Sequence, residues 1–460
     1  MNETAKAQST PQSTPQSIAA RVERLPQSWW HVKTRIIIGT ATFFDAFDAL
    51  AIAVTLPALV GLWKLSPSQI GLIISAGYVG QIVGALFFGW FAERFGRVKA
   101  LICCISILSL LSLACALAWD YESLLGFRTI QGIGLGGEVP IAAAYISEIA
   151  KANTRGRFVL LYESIFPVGL VAASLLAVWV VPHLGWQWMF IIGALPALLV
   201  FVLIQAIPES PRWLAQAGRL AEADAVVTRI ERLVSRGKPE TLPAPVEVPQ
   251  PRHERATFAS LFEGPYLKRT LVVWGFWFVA SLVSYTLTVW LPTIYRTVFN
   301  MPVQEALRFA VVNNVVGLVG GLFAAFLVDI VGRRAWFIIA FTGAALPLLW
   351  LGYNSGVLTA DMVLWFSSAC SFFANSLLLS LYVYTPEIYP TRSRALGTSV
   401  ATSWQRIGSI VGPMLVSLAL SGYGLGAAFA GFACASLLAA LIAVTAMGET
   451  RQRVLEELSP

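Results

Sequence analysis

The chain has 460 residues, of which 57% are hydrophobic and only 12% are charged, and its formal net charge is +7. The charged fraction is about half that of an ordinary soluble protein, which excludes a soluble globular fold. The apolar residues form continuous runs of about 20, whereas the strands of a membrane β-barrel alternate polar and apolar residues. The composition therefore predicts an all-α membrane protein.

Residues 1–33 are polar and rich in Gln, Ser and Pro, which predicts a disordered cytoplasmic tail. Twelve apolar segments follow this tail in two groups of six, and each group predicts a helical bundle. The N-terminal bundle covers 34–207, with helices predicted at 34–60, 68–92, 98–118, 122–149, 156–181 and 185–207. The C-terminal bundle covers 268–446, with helices predicted at 268–298, 304–329, 335–354, 360–386, 394–420 and 424–446.

A polar insert at 208–267 separates the two bundles. Its first part, 212–236, has apolar residues at helical spacing, which predicts an amphipathic helix. Its second part, 239–251, is rich in Pro, which predicts an extended or flexible linker. Residues 447–460 follow the last apolar segment and form a predicted cytoplasmic tail.

The positive charges are distributed unevenly along this pattern. If the N-terminus is cytoplasmic, 27 of the 32 Lys and Arg residues lie in cytoplasmic segments. The opposite side holds Lys64, Arg296 and Arg308, while Arg128 and Arg406 lie within apolar segments. Because cytoplasmic loops are enriched in Lys and Arg, both termini are predicted to be cytoplasmic. The net charge is thus explained by topology, and nucleic acid is not an expected partner.

Two charged motifs occur twice in the chain. Glu93-Arg94-Phe-Gly96-Arg97 returns as Asp329-Ile-Val-Gly332-Arg333 with an offset of 236 residues, and Ser147-Glu148 returns as Pro386-Glu387 with an offset of 239. A common offset indicates that one block was duplicated, with long apolar segments on both sides of each copy. Duplicated helical bundles with charged turns on one side are typical of secondary transporters.

Four motifs resemble those of the major facilitator superfamily, and the resemblance spans residues 34–446. They are Gly89-Trp-Phe-Ala-Glu93-Arg94-Phe-Gly96-Arg97, with Glu93 in place of the commoner Asp, Arg128-Thr-Ile-Gln131-Gly132-Ile-Gly134-Leu-Gly136-Gly137, Pro208-Glu209-Ser210-Pro211-Arg212 and Thr385-Pro386-Glu387-Ile388-Tyr389-Pro390-Thr391-Arg392. They favour the branch that contains sugar porters, aromatic-acid symporters, organic ion transporters and bacterial niacin transporters. The resemblance implies alternating access, and the short loop at 61–67 favours a bacterial member in the cytoplasmic membrane.

Two buried charges are predicted to lie at the same depth. Asp48 is roughly 21 Å from the inner end of its helix and Arg128 is roughly 9 Å from the outer end of its own, at 1.5 Å per residue in a core of about 30 Å. Phe47-Asp48 also resembles a motif of proton-coupled sugar porters whose Asp faces the Arg of helix 4. We hypothesise that Asp48 binds the proton and Arg128 is its counter-charge, because a change of partner couples protonation to conformation. The alternative is a static structural ion pair.

Asp45 lies on the same helix face as Asp48, three residues earlier. The sequence leaves three roles open for it: sharing the proton, contacting substrate or lining water. Glu138 and Glu163 are predicted nearer the inner side, where they could carry protons, close an inner gate or belong to a charge network.

Arg406 is roughly 18 Å into its helix and therefore near the midplane, where transporters of this architecture bind substrate. The segment resembles helix 11 of organic anion transporters, whose Arg attracts the anion, and guanidinium groups suit carboxylates. A structural partner for another buried acid is the alternative. Aromatic and amide side chains are predicted to line the site with it: Phe44, Phe47, Tyr285, Asn313, Asn314, Asn375, Tyr382, Trp404 and Gln405.

The repeated turns predict a cytoplasmic charge network that gates the outward-facing state. Its predicted members are Glu93, Arg94, Arg97, Glu148, Arg155, Glu209, Arg212, Asp329, Arg333, Glu387 and Arg394.

These features together predict a proton-coupled importer of a small organic anion, with an aromatic monocarboxylate such as nicotinate as the substrate that the resemblance favours. A benzoate-type acid, quinate or shikimate, or a sugar stays open, although 274–285 lacks the glutamine pair of sugar porters. A non-transporting receptor of the same fold is a further alternative. The three His residues lie outside the helices without triad or metal spacing, so we expect no enzyme activity, metal or cofactor. The protein is expected to act as a monomer.

Overall fold

The computed structural model describes residues 14–151, 162, 164–235, 237–238, 242–245, 258–389 and 393–450, without the side chains of 325, 329, 394 and 395. This part of the chain is mostly helical. Its N-terminal half and insert contain α1 (Pro15–Glu23), α2 (Trp29–Trp63), α3 (Pro67–Phe95), α4 (Arg97–Ala116), α5 (Tyr121–Ile149), α6 (Ile165–Leu184), α7 (Gln187–Gly193), α8 (Pro196–Ala206), α9 (Pro211–Gln216) and α10 (Leu220–Val234). Its C-terminal half contains α11 (Tyr266–Thr297), α12 (Val303–Val331), α13 (Arg333–Tyr353), α14 (Ala360–Glu387), α15 (Arg394–Gly422) and α16 (Leu425–Ala446).

The helical segments follow the predicted ones, with two breaks that the sequence analysis did not place. The predicted helix at 185–207 is divided into α7 and α8, because Pro196 begins α8 and lacks the N–H that a continuous helix would need. The predicted amphipathic helix at 212–236 is divided into α9 and α10 at Gly218, whose φ of +78° suits glycine. The start of the predicted helix at 156–181 lies outside the described residues.

Ten candidate spans among the described residues are long and apolar enough to cross a membrane. Large apolar side chains such as Leu86, Phe326 and Trp365 are exposed on the surface, as expected where lipid replaces water. α5 and α15 have 29 residues each but fall outside this set because they are more polar. They are the helices that carry Arg128, Glu138 and Arg406, so polarity is concentrated where function is expected.

The two halves share one apolar core at one end of the molecule and have separate cores at the other. The shared cluster joins Leu59 and Leu65 to Leu291 and Ile294, and we name this the closed end. The separate clusters lie toward the repeated charged turns, one within 38–207 and one within 261–447. The halves are therefore packed together at the closed end and have independent interiors at the charged-turn end.

Helices α3 and α15 come into direct contact at the closed end. Ser75 Oγ donates to the carbonyl of Ile410 at 2.9 Å, and Ser417 Oγ donates to the carbonyl of Pro67 at 2.9 Å. A Cβ atom added at Gly71 would lie 2.8 Å from Ser417 Cβ, which is too close for a real contact. The absence of a side chain at Gly71 is therefore a condition of this closure.

A Gly71→Leu substitution is expected to force the closed end apart by displacing α15 from α3. Spin labels at the exposed positions Leu62 and Tyr423, in a background without the exposed Cys434, should report a longer interlabel distance than in the parent. Gly89→Leu on the same helix is the matched control, since an added Cβ there meets nothing within 4 Å. Equal distances in Gly71→Leu and the parent would contradict this account of the closure.

The N-terminal tail departs from the sequence-based expectation, because residues 14–33 are structured. The N-terminal strap, residues 15–24, docks on α9 and α10 through Ile18 and Val22, which share an apolar cluster with Trp213. Arg21 pairs with Asp224 at 2.6 Å, and both Arg21 and Arg24 pair with Glu231, at 2.7 and 2.6 Å. Two buried apolar residues and three ion pairs hold the segment, so the prediction of disorder over 1–33 is wrong for this part.

Glu231 is the centre of the strap contacts, so its charge state controls docking. Burial on its own raises the pKa of the Glu231 carboxyl, but hydrogen bonds from Arg21 and Arg24 outweigh burial and lower that pKa below the usual value for Glu. A lowered folded-state pKa means that the stabilisation is complete above the unfolded-state value and is lost as the pH falls through the folded-state value. Acid is therefore expected to release the strap, which hydrogen exchange of residues 15–24 will detect.

A Glu231→Gln variant is expected to release the strap at neutral pH, since removing a buried charged acceptor costs about 1–3 kcal/mol. Trypsin should then cleave after Arg21 and Arg24 faster than in the wild type. Glu222→Gln on the same helix is the control, because Glu222 is exposed and pairs with Arg219. If Glu231→Gln is cleaved no faster than this control, the ion pairs do not hold the strap.

Candidate functional site

Asp48 and Arg128 form the buried ion pair that their predicted depth indicates. Arg128 Nη1 donates to Asp48 Oδ2 at 2.6 Å, and both residues are almost inaccessible, at 0% and 3% exposure. Two further groups near Asp48 Oδ1 are not predicted from the sequence: Gln131 Nε2 donates to it at 2.7 Å, and Ser112 Oγ lies 3.4 Å from it. Gln131 follows Arg128 by three residues, one helical turn, and that spacing was the available signal.

Close packing of α3 on α5 positions this pair. An added Cβ at Gly80 would collide with the carbonyl oxygen of Thr129, and one at Gly136 would collide with that of Gln81. Such approach of two helix backbones requires glycine at the contact, as in other membrane helix pairs. The glycine-rich segment of α5 is therefore a packing surface that presents Arg128 and Gln131 to Asp48.

Asp45 lies one turn before Asp48 on α2 and is 6% exposed. Its carboxylate interacts electrostatically with Arg406 of the C-terminal half as well as with Asp48 and Arg128 of its own half. Tyr78 of α3 and Cys104 of α4 also lie within electrostatic range of Asp45. Asp45 is thus the acidic residue that links the Asp48–Arg128 pair to the opposite half.

Arg406 lies where the two halves meet. Its Nη2 donates to the carbonyl of Gly136 on α5 at 3.3 Å, across the interface between the halves. Gln405 Nε2 donates to the Tyr285 hydroxyl at 2.9 Å, and the Tyr382 hydroxyl donates to Gln405 Oε1 at 3.5 Å. Both tyrosines interact electrostatically with Arg406.

We call the group of Asp45, Tyr285, Tyr382, Gln405 and Arg406 the central cluster. The Tyr285 ring also packs edge-on against Tyr78, with 6.2 Å between the ring centroids, so aromatic faces from both halves border it. The cluster combines a guanidinium group, a carboxylate, two phenols and an amide at one level of the bundle. Such a combination is suited to a flat polar ligand with one negative charge.

Three aromatic residues predicted to line the site are placed differently from one another. Phe44 is partly exposed and contacts Phe47, with 6.0 Å between the ring centroids. Phe47 itself is 2% exposed and belongs to the shared apolar core. Trp404 stacks on Trp274 of α11, with 5.2 Å between the centroids, and Trp274 lies 11 residues before Tyr285 on that helix.

The three predicted asparagine residues lie on α12 and α14. Ser371 Oγ donates to Asn313 Oδ1 at 2.8 Å, and Asn375 Nδ2 donates to the carbonyl of Ser371 at 2.9 Å. Asn314 is buried at 8% exposure. The Asn313 contact connects α12 to α14, whereas the Asn375 hydrogen bond lies within α14.

Glu138 is the next buried carboxylate toward the charged-turn end. It is 1% exposed and accepts a hydrogen bond of 3.1 Å from the Thr42 hydroxyl, one turn before Asp45 on α2. Thr42 also contacts the Tyr162 hydroxyl. Glu163, for which the sequence predicts the same possible roles as for Glu138, lies outside the described residues.

The charged residues around the turn between α3 and α4 contact partners within the N-terminal half. Arg97 pairs with Glu93 at 2.9 Å and with Glu148 at 3.0 Å. Glu209 accepts from the backbone N–H groups of Arg97 and Val98 at 2.9 and 3.2 Å, and thereby caps the start of α4.

The C-terminal half repeats this arrangement. Arg333 pairs with Glu387 at 3.0 Å, and Glu449 accepts from the backbone N–H groups of Arg333 and Arg334 at 2.9 and 3.1 Å. Glu449 is not among the residues predicted from the sequence, although it follows Glu209 by 240 residues, close to the offsets of the repeated motifs. Each of these ion pairs lies within one half.

The remaining predicted network members lie outside these clusters or outside the described residues. Arg94 lies over the Phe95 ring at 5.8 Å, and Arg212 pairs with Glu23 of the strap at 3.0 Å. Arg155 is outside the described residues, as are the side chains of Asp329 and Arg394. No group of His, Cys, Asp and Glu suited to a metal ion occurs within the described ranges.

Comparison with known proteins shows which family and which solved structures the chain is similar to. The profile of the family described as "Sugar (and other) transporter" matches residues 6–460. The chain is 34% identical to the niacin transporter NiaP of Acinetobacter baylyi, over 96% of this chain and 99% of the relative. It is 30% identical to the gallate transporter of Pseudomonas putida, over 96% and 97%. The inward open xylose transporter XylE of E. coli has a similar fold, with a TM-score of 0.72 and 21% identity over 93% of this chain and 99% of that one.

Proposed function

The chain belongs to the sugar and other transporter family of the major facilitator superfamily, and on that premise we propose that it imports a small aromatic monocarboxylate together with a proton. It is a multi-pass membrane transporter and not an enzyme. Two of its relatives are named for niacin and gallate, both aromatic acids, and nicotinate is the substrate that we favour.

The central cluster is the observation that carries this proposal. Arg406 offers a planar, permanently charged group that can bind a carboxylate with two parallel hydrogen bonds. Tyr285 and Tyr382 beside it offer aromatic surface and hydroxyl groups for a flat ring. Donors from α11, α14 and α15 and a carboxylate from α2 surround one level between the halves, where substrates of such transporters bind.

We further propose that twelve helices span the bacterial cytoplasmic membrane, with both termini inside. The distribution of Lys and Arg supports this orientation. In that orientation the closed end is external, and the two charged-turn clusters lie in the cytoplasm. The pairing of each cluster within its own half, together with the shared core at the closed end, supports an inward-facing state, and approach of the two clusters would accompany the outward-facing one.

Thermal stabilisation of the purified protein tests the substrate class, because a ligand that binds the folded state raises the melting temperature by mass action. The panel is nicotinate, nicotinamide, benzoate, 4-hydroxybenzoate, quinate, glucose and choline. Stabilisation by nicotinate or benzoate but not by nicotinamide is expected, since nicotinamide has the same ring without the charge. Stabilisation by glucose or choline alone would overturn the anion assignment and leave the family intact.

A further inference from the structure

Building on the function proposed above, we propose that Asp45 carries the transported proton, and that Asp45 and the substrate carboxylate compete for the Arg406 guanidinium. Asp48 then keeps its charge throughout the transport cycle. This assignment differs from the hypothesis drawn from the sequence, in which Asp48 is the protonated group and Arg128 its switching partner.

Both carboxylate oxygens of Asp48 are engaged by donors in this structure. Its Oδ2 accepts a hydrogen bond from Arg128 at 2.6 Å and its Oδ1 accepts one from Gln131 at 2.7 Å. The Ser112 hydroxyl lies 3.4 Å from Oδ1 and donates over a shorter distance, 2.8 Å, to the Phe190 carbonyl. Protonation would turn one accepting oxygen into a donor that faces other donors, and would leave the Arg128 charge buried without its partner. Protonation of Asp48 would therefore disturb the contacts that hold Arg128 and Gln131.

The partners of Asp48 also belong to a single half of the chain. Arg128 and Gln131 are on α5 and Ser112 is on α4, and both helices belong with α2 to the N-terminal bundle. Alternating access moves one bundle against the other around the substrate site. Contacts inside one bundle are retained in such a movement, so Asp48 has the same partners in both states. A coupled proton site must instead bind the proton with different affinity in the two states.

A coupled proton site needs a carboxylate that can accept a proton and a counter-charge that belongs to the opposite half. Asp45 meets both requirements, and Asp48 meets neither. Within the described part of the chain Asp45 accepts no hydrogen bond, while its carboxylate interacts electrostatically with Arg406 of the opposite half. The Arg406 guanidinium reaches across the interface to the Gly136 carbonyl at 3.3 Å. The groups that face it are Asp48 on its own helix, Tyr78 on α3, Cys104 on α4, Arg128 on α5 and Arg406 on α15. Arg406 alone in this set comes from the opposite half, so the movement of the halves changes the counter-charge of Asp45.

The charges at this level determine how many protons accompany the substrate. Asp45 and Asp48 are balanced by Arg128 and Arg406 when the site is empty. A monocarboxylate that binds Arg406 adds one negative charge in a region where an unpaired charge is costly. The Arg side chains cannot release a proton, so balance is restored when an O–H bond forms on Asp45. The protonated Asp45 no longer competes for Arg406, and the loaded site is neutral, with one proton for each anion.

Proton uptake by the purified wild-type protein is the first test and requires no substitution. Nicotinate or benzoate is added to the protein in weakly buffered solution with a pH indicator. The pH is chosen so that Asp45 is ionised in the protein without ligand. About one proton is expected to disappear from solution for each ligand bound, and the affinity should fall about tenfold per pH unit in that range. Binding without proton uptake would overturn the inference and leave the proposed function standing. If neither nicotinate nor benzoate binds, both the inference and the proposed function are overturned.

The Asp45→Asn variant assigns the proton to this residue. We expect it to bind nicotinate with the same affinity at every pH in the range and without proton uptake. In proteoliposomes it should exchange nicotinate across the membrane but show no accumulation driven by a pH gradient. Asp361→Asn is the matched control, because Asp361 lies exposed in the first turn of α14, and it should behave as the wild type. An Asp45→Asn variant that keeps proton uptake and pH-dependent affinity would refute the assignment.

Discussion

An Arg406→Ala variant is expected to bind nicotinate or benzoate about a hundredfold more weakly than the wild type. Loss of one partner of a desolvated charge pair costs about 2–5 kcal/mol, and 1.4 kcal/mol corresponds to a factor of ten. Arg406→Lys keeps the charge but not the planar fork, so we expect an intermediate loss of roughly tenfold. Titration calorimetry on both purified variants measures these affinities directly.

Arg296→Ala is the control for this experiment. Arg296 donates to the Met301 carbonyl at 3.0 Å near the end of α11, far along the helix from Tyr285. Its removal should leave the affinity for the anion unchanged. If Arg406→Ala also binds the anion with wild-type affinity, the central cluster is not the anion site.

An Arg128→Ala variant is expected to lose more folding stability than any other single substitution considered for this protein. It leaves the Asp48 carboxylate buried at 0% exposure without its counter-charge. Breaking a buried ion pair on one side costs about 3–5 kcal/mol. The melting temperature in detergent and the yield of monodisperse protein should both fall strongly.

The double variant Asp48→Asn/Arg128→Gln separates pairing from packing. It removes both charges at similar volume, so it should recover a large part of the stability that Arg128→Ala loses. Arg308→Ala is the control, since Arg308 is exposed and its loss should stay within about 0.5 kcal/mol. A double variant no more stable than Arg128→Ala would show that the charge pair contributes little to folding.

The sequence was informative about the Asp48–Arg128 pair because depth along a membrane helix follows directly from residue number. A charge in the hydrocarbon region also needs a partner, and few charges were available at that depth. Two independent constraints therefore identified one contact, which the structure contains at 2.6 Å.

The sequence was much less informative about the lining of the central site. Whether a residue faces the space between the halves depends on the rotation of its helix, and α15 has polar and aromatic residues around most of its circumference. Gln405 and Trp404 are adjacent in sequence, yet Gln405 bonds to Tyr285 and Trp404 stacks on Trp274. Composition does not fix this rotation, because the neighbouring helices determine it.

The missed N-terminal strap has a different cause. Ile18, Arg21 and Val22 are spaced as one helix face, but the surrounding Gln, Ser and Pro residues dominate the composition. This face is buried and paired only by contact with Trp213 and Glu231, which lie in the insert about 200 residues later. Local patterns cannot reveal a segment whose structure depends on so distant a partner.

The strap also sets an order of events during synthesis of the chain. Its partner Glu231 is 210 residues downstream of Arg21, so the ribosome must make the whole first bundle before the strap can dock. Until then the apolar face of Ile18 and Val22 is uncovered beside the first membrane helix. Docking therefore marks the moment at which the N-terminal half is complete, and a fragment that ends before the insert would leave this face open to proteases and chaperones.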